Sequence, residues 1–428
     1  MLGRKLFSSS LVLGLVLSFV FPAHADLLKN LKTDGSIETR SFGIDNENDR
    51  NGAVDDYRSE TNYRVMVGAT TDLLDDVHAR ISLTKNALQG SGHGSITSVQ
   101  GTTFFDNAYF KVDKVFGHVD LTAGRQFYGD SNDLVIYFGP QNDSILSVTS
   151  LDAFRADADV MGFAKFHGIA GKIADTGVAT TPVPPGPSIA NSNSDTNVWG
   201  GELNTDKVVP AANLAAYYYT AQTKKQANAI LGNNTLVVYG ARLNGDIPMV
   251  AGLGYMAEII QDGGRNNGTA ALRAYNGTAW DLGVHYGHDL GTTPVRAHLE
   301  YGQGSANFVS IAPGRRYGII WGEFTTTATD LGYSGLSNLK VLSAGGGVTP
   351  IAKLGVDLNA YRFRYASTAS NKTSAGTEYD LIVSWKHSDN VSFEVNAADF
   401  QVGDANQNAA PTGTNPITEL GADVKIKF

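Results

Sequence analysis

The sequence predicts an all-β fold, a transmembrane antiparallel β-barrel of about eighteen strands, or sixteen if two boundaries are misplaced. Three observations carry this. Segments that alternate apolar and polar residues recur from end to end. The connections between them alternate between long polar loops and short turns. Beyond the first 25 residues, no stretch holds the eighteen consecutive apolar residues that a membrane-crossing helix needs.

Residues 1–25 form a candidate signal peptide. Arg4 and Lys5 give it a basic start, residues 11–21 an apolar run, and Ala23-His24-Ala25 a cleavage site. Mature protein is then expected from Asp26, with residues 26–428 forming one barrel domain. The leader carries two of the 33 basic residues and no acid, so the mature charge is 31 − 42 = −11. The chain is marked for export yet has no cysteine, so disulfides cannot supply its stability. Only helices and closed barrels satisfy every backbone group inside a bilayer. An apolar content of 42% is compatible with a barrel, because a wet lumen needs no solid apolar core.

The alternating faces follow in order. Tyr63, Val65, Val67 and Ala69 oppose Arg64, and Val77, Ala79, Ile81 and Leu83 oppose His78, Arg80 and Ser82. Phe154, Ala156, Ala158 and Val160 oppose Arg155, Asp157 and Asp159. Further on, Val237 to Leu243 leave Arg242 on the other side, and Val295 to Tyr301 oppose Arg296, His298 and Glu300. Tyr379, Leu381, Val383 and Trp385 oppose Glu378, Asp380 and Lys386. The final segment sets Leu420, Ala422, Val424, Ile426 and Phe428 on one face, as in the strand that closes an outer-membrane barrel. Aromatics such as Tyr63, Phe154, Tyr301, Tyr379 and Trp385 sit near the ends of the apolar faces, where an interfacial girdle lies.

Long loops are expected near 45–60, 86–103, 127–150, 173–196, 222–234, 260–276, 304–335, 366–376 and 402–416. Short turns are expected near 72–76, 113–117, 159–162, 206–210, 244–247, 288–293, 349–351 and 387–390. Nine loops and eight turns join eighteen strands. A soluble sandwich has no reason to sort its connections this way.

Two segments resist the pattern. Tyr361, Phe363 and Tyr365 have the opposite parity to Leu354, Val356 and Leu358. A bulge between them would reset the phase and turn Arg362 and Arg364 into the lumen. Residues 211–221, with three consecutive tyrosines, give no clean face.

Several motifs reduce to bland readings. Gly252, Gly254 and Ala257 fit a dinucleotide pattern but lie inside an alternating run, without the helix that pattern requires. Asp45, Glu47, Asp49, Asn51 and Asp56 resemble a calcium loop that has Arg50 where glycine belongs. His285 and His288 point to opposite faces of a strand. No histidine falls in a local pattern beside a nucleophile. No enzyme activity, cofactor or metal is therefore expected. The positions assigned to the lumen hold ten bases and ten acids. They either keep the wall wet or, through arginine, select carboxylated solutes.

Three places resemble a known family. Residues 124–130 read Gly-Arg-Gln-Phe-Tyr-Gly-Asp, and Leu151-Asp152-Ala153-Phe154-Arg155 follows. Gly376-Thr377-Glu378-Tyr379-Asp380, then Phe393 and Glu394, then Phe400-Gln401-Val402-Gly403-Asp404 come late. Together these are similar to the alginate-export outer-membrane porins. The resemblance implies an eighteen-stranded barrel with an arginine-lined pore narrowed by inward loops. It makes Arg125, Arg155 and Arg242 constriction candidates, with Asp130 and Asp152 organising the 127–150 loop. Asp157, Arg296, Arg362, Arg364, Glu378 and Asp380 complete the pore-lining candidates. Arg125 shares its parity with the oily positions, so it must lie past the bilayer edge or follow a bulge.

The function expected is a passive channel for small polar or anionic solutes. The alternatives are an exporter of an anionic polysaccharide, and a barrel enzyme or plugged structural barrel. Expected partners are outer-membrane lipid and lipopolysaccharide, the barrel-assembly machinery through the C-terminal strand, and the solutes themselves. Nucleic acid is not expected, and a homo-oligomer is left open.

Overall fold

The structure, a computed structural model, describes residues 29–47, 56–90, 103–174, 196–223, 234–266, 273–323, 335–368, 371–406 and 414–428. The segment expected to be a signal peptide, the proline-rich 180–188 stretch and residues 49–51 of the calcium-like pattern lie outside them.

The strands are β1 (Lys29–Asp45), β2 (Arg58–Leu74), β3 (Val77–Gly90), β4 (Thr103–Val115), β5 (Val119–Gln126) and β6 (Leu151–Val160). Next come β7 (Ala164–Ala174), β8 (Thr196–Thr205), β9 (Ala212–Thr223), β10 (Asn234–Asp246), β11 (Leu253–Asn266) and β12 (Arg273–Tyr275). The last are β13 (Thr278–Leu290), β14 (Thr293–Gly304), β15 (Leu339–Ile351), β16 (Leu354–Tyr365), β17 (Ser374–Lys386), β18 (Val391–Val402) and β19 (Ile417–Lys427). One helical turn, α1 (Ile320–Glu323), interrupts the connection after β14. The short β12 pairs only with the end of β11, which also pairs with β13. Eighteen strands therefore form the wall, each antiparallel to its neighbours.

The wall closes where β1 meets β19, from Ser36 opposite Lys427 to Asp45 opposite Thr418. Closure leaves no open edge, as a bilayer requires. The nine long loops and eight short turns occur in the expected order, but the turns expected near 244–247 and 349–351 come later, at 247–252 and 352–353.

Exposure separates the two faces. Outward positions carry Ile81, Phe154, Leu282, Leu358 and Leu420, each at least half exposed on the isolated chain. Inward neighbours such as Ser82, Asp281 and Glu419 are buried. In β9 the tyrosine run divides, with Tyr217 and Tyr219 buried inside and Tyr218 outside at 52% exposure. A bulge does occur in β4, where Asp106 is skipped between the pairs Ser82–Asn107 and Leu83–Phe105.

The lumen departs from expectation because it contains a solid core. Leu134, Ile136 and Leu146 come from the β5–β6 loop, and Phe308 and Ile320 from the β14–β15 loop. With Phe363 and Phe400 from the wall, all are fully buried. Both loops fold inward into the lumen.

The phase break in β16 has the same cause. Its register with β15 runs without a slip from Leu339–Tyr365 to Val348–Val356, so no bulge resets the parity. Tyr361 and Phe363 instead point inward, where Trp321 stacks on Phe363 with ring centres 4.5 Å apart. Arg362 and Arg364 consequently face outward and are exposed, which corrects their assignment to the lumen.

Candidate functional site in the barrel lumen

Two inward loops meet across the lumen and bond to each other. Within the first loop Tyr128 pairs with Phe138 in an antiparallel bridge, and between the two loops Ile136 pairs with Ala312 in a parallel one. The Tyr137 amide donates to the Ala312 carbonyl at 2.7 Å, and the Ala312 amide donates to Val135 at 2.9 Å. The Ser310 hydroxyl donates to the Leu134 carbonyl at 2.7 Å.

The wall holds this plug from several sides. Arg40 donates to the Asp143 carbonyl at 2.9 Å and to Asn142 at 2.7 Å. Arg64 donates to the carbonyls of Gln141 and Ser147 and, at 2.6 Å, to Glu38. Across the lumen, Glu378 accepts the backbone amides of Ile320 and Trp321 at 2.7 and 2.9 Å, while Asp380 accepts Ile319 at 3.1 Å. Three successive amides are thus satisfied by carboxylates rather than by a strand. Gly318 has φ +75°, and a Cβ there would lie 2.6 Å from the Glu378 carboxylate, so glycine alone fits.

Arg315 projects from the second loop toward Asp281 at 2.8 Å and also pairs with Glu300. Burial works against its charge, but the neighbouring Tyr317, Glu300 and Asp281 outweigh it and hold the guanidinium well above the ordinary arginine value. Asp133, on the first loop, lies 3.5 Å from Arg242 and accepts the amides of Val135 and Ile136. Burial pushes its carboxyl up, against the pull of Arg242 and the two amides.

Beneath the plug, at the short-turn end, opens a cavity of about 1050 Å³. Its charged lining is Asp130, Asp133, Asp159, Glu202, Asp206 and Glu258 against Lys165, Lys207, Arg242 and Arg315, with His167 and His285. A smaller hollow of about 430 Å³ lies between the loops, lined by Tyr137, Ile145, Val309, Pro313 and Arg316 among others.

Of the candidates named from sequence, Arg155, Asp157, Arg242 and Arg296 face the lumen. Arg155 pairs with Asp157 at 2.8 Å and lies over the Tyr128 ring, and Asp157 also binds His167 at 2.6 Å. Arg242 reaches Glu202 at 3.1 Å, and Arg296 pairs with Asp357. Asp130 caps a turn in the first loop, accepting the Asn132 amide at 2.8 Å, and lines the larger cavity.

The others are corrected. Arg125 and Asp152 are cross-strand partners on the outer wall, joined by two 3.0 Å hydrogen bonds. The β5–β6 register has no slip, so Arg125 keeps the outward parity of Leu121. Glu378 and Asp380 do point inward, but the plug covers them to 0% and 1% exposure, so they line no pore. Arg315, Arg316 and Asp133 were missed. The dibasic pair after Pro313-Gly314 in a long loop was the only available sequence signal. Glu47, in the calcium-like segment, is taken up by Arg58 at 2.8 Å.

A closed eighteen-strand wall, oily outside and charged within, with long loops turned inward, defines an outer-membrane barrel of the porin type. The chain belongs to the alginate-export family, whose pattern matches residues 103–418. None of the curated proteins matches it. Among solved structures it is similar to OpdQ of Pseudomonas aeruginosa, with a TM-score of 0.61 and 11% identity over 95% of this chain and 99% of that one. The outer membrane protein OprD of the same organism gives 0.56 and 14% over 95% of each chain. OccAB2 of Acinetobacter baumannii gives 0.58 and 12% over 93% of this chain and 98% of that one. At such identities the likeness concerns the fold.

Proposed function

We propose that this chain is a passive outer-membrane porin for small polar solutes, narrowed by its two inward loops. The observation that carries the reading is the charged cavity of about 1050 Å³ beneath the plug, enclosed by a wall with an apolar exterior. Such a lumen lowers the barrier for polar solutes, and its charges bias which of them pass. Asp133 and Glu258 are buried, and the remaining charged lining sets Asp130, Asp159, Glu202 and Asp206 against Lys165, Lys207, Arg242 and Arg315, so the accessible charges balance and suit small polar or zwitterionic solutes. Arg155 and Arg242 act in this reading as fixed positive points beside Asp157 and Glu202. No chemistry is performed, and export with cleavage after Ala25 brings the chain to the outer membrane.

Export of an anionic polysaccharide is the second reading. The family's description favours it. The balanced charge of the cavity does not favour it, because a polyanion would meet Asp130, Asp159, Glu202 and Asp206 there as well as the four bases.

Single-channel recording in a planar bilayer tests the proposal. Small, stable conductance steps are expected, with a reversal potential close to zero in a salt gradient. Absence of conductance would remove the porin reading, and strong selectivity for either sign would contradict the balanced cavity.

A further inference from the structure

The outer wall carries a cationic group that conduction does not use. Lys340 of β15 and Arg364 of β16 are directly opposite each other, and Arg362 follows one outward position lower, opposite Leu342. Arg362 and Arg364 are exposed, and Lys340 is partly so. None of the three has an ion-pair or hydrogen-bond partner among the described residues. Their outward placement is enforced from inside, since Phe363 and Tyr361 occupy the inward positions against Trp321.

Like charges facing each other across a strand pair repel, with side chains about 5 Å apart at Cβ. Elsewhere the outer wall neutralises such a charge, as where Asp152 binds Arg125. Here it does not. The level of the group explains where a counter-charge would come from. Tyr301 lies in the same cross-strand row as Leu342 and Arg362, and Tyr379 begins the next row down. Outward Trp280 stands beside Tyr301, with ring centres 5.0 Å apart. Aromatics mark the boundary between hydrocarbon and head groups. Lys340, Arg362 and Arg364 therefore sit at or above that boundary, at the long-loop end, where three cations from adjacent strands face the head-group layer.

We propose that Lys340, Arg362 and Arg364 form a binding site for the phosphate groups of a phosphorylated outer-leaflet lipid of the lipid A type. The two guanidiniums offer forked donors that match phosphate oxygens, and the lysine adds a compact charge on the same anion. Acyl chains of the same molecule would lie along the apolar face below, over Leu342 and Leu358, which are 40% and 60% exposed. This combination suits a lipid and not a free anion.

The test uses the barrel refolded in detergent and observed by native mass spectrometry with bis-phosphorylated lipid A. A one-to-one adduct is expected. The triple variant K340Q/R362Q/R364Q should retain it about tenfold less, since each removed charge-assisted contact weakens phosphate binding. R125Q, whose cation already belongs to Asp152, should retain it like the native chain. Dephosphorylated lipid A should bind no better than to the triple variant, and millimolar inorganic phosphate should not displace the adduct. Equal retention by the triple variant, an equal loss in R125Q, equal binding of the dephosphorylated lipid, or displacement by inorganic phosphate would each overturn the proposal. Heat-modifiable gel migration confirms that each variant is folded. Conductance is independent of these outward positions, so failure here leaves the porin reading intact.

Discussion

Arg64 shows how much of this molecule rests on single lumenal side chains. It is 3% exposed, it bonds two loop carbonyls, and it shares Glu38 with Lys425 at 3.0 Å. Replacement by alanine leaves those carbonyls without a donor and Glu38 with one cation fewer. Hydrogen bonds to charged groups contribute about 1.5–3 kcal/mol, so R64A should destabilise the docked loop by at least that much. Guanidinium unfolding in lipid vesicles measures it, and an unchanged midpoint would refute the anchoring role. Asp133 supports a pH prediction. Burial raises its value in the docked loop, so the docked state holds a proton more tightly than a detached one. Acidification from neutrality toward the ordinary carboxylate value favours docking, because the penalty of a buried charge is removed. Wild-type conductance should therefore fall more on such acidification than that of D133N. The opposite order would contradict the assignment.

At the scale of elements, the plug is a pair of loops held by complementary means. The first is gripped by arginines acting on its carbonyls, and the second by carboxylates acting on its amides. Conservative replacement of both carboxyl groups, as in E378Q/D380N, exchanges the acceptors of Ile319, Ile320 and Trp321 for weaker amide oxygens while keeping the volume. The second loop should then detach more often, seen as larger or noisier conductance steps with the barrel intact. Steps identical to the native ones would show that the stacking of Trp321 on Phe363 holds the loop unaided. The strands were legible in the sequence because a wall between lipid and water imposes a strict period of two. The plug was not, because loop residues such as Leu134 and Ile136 carry no period and their partners lie far along the chain. The clue it did leave was the phase break at Tyr361 and Phe363. There the lumen is dry, so aromatics point inward and the rule of wet interior positions fails. Arg125 misled for a related reason, since a motif places a residue in the chain whereas parity places it on a face.

For the whole molecule, the arrangement of media decides what each outward position tolerates, and β16 provides the comparison. Leu358, Ala360, Arg362 and Arg364 all face outward on one unbroken strand. From Leu358 to Arg362 the strand rises four residues, about 13 Å along its axis, and a tilt of about 40° turns that into about 10 Å of depth. The apolar band of such a barrel is about 25 Å tall. Leu358, near the middle of the strand, therefore lies close to the midplane, and Arg362 lies near the edge of the band. An arginine costs about 2–4 kcal/mol at the midplane and about 0–1 near the interface. L358R should accordingly lower the unfolding midpoint in phospholipid vesicles substantially, while R362L should change it little. Both substitutions are on the same face, so a difference between them reports depth and not wall packing. If L358R unfolds at the native denaturant concentration, that face is not in hydrocarbon, and the closed ring is not a membrane-spanning wall.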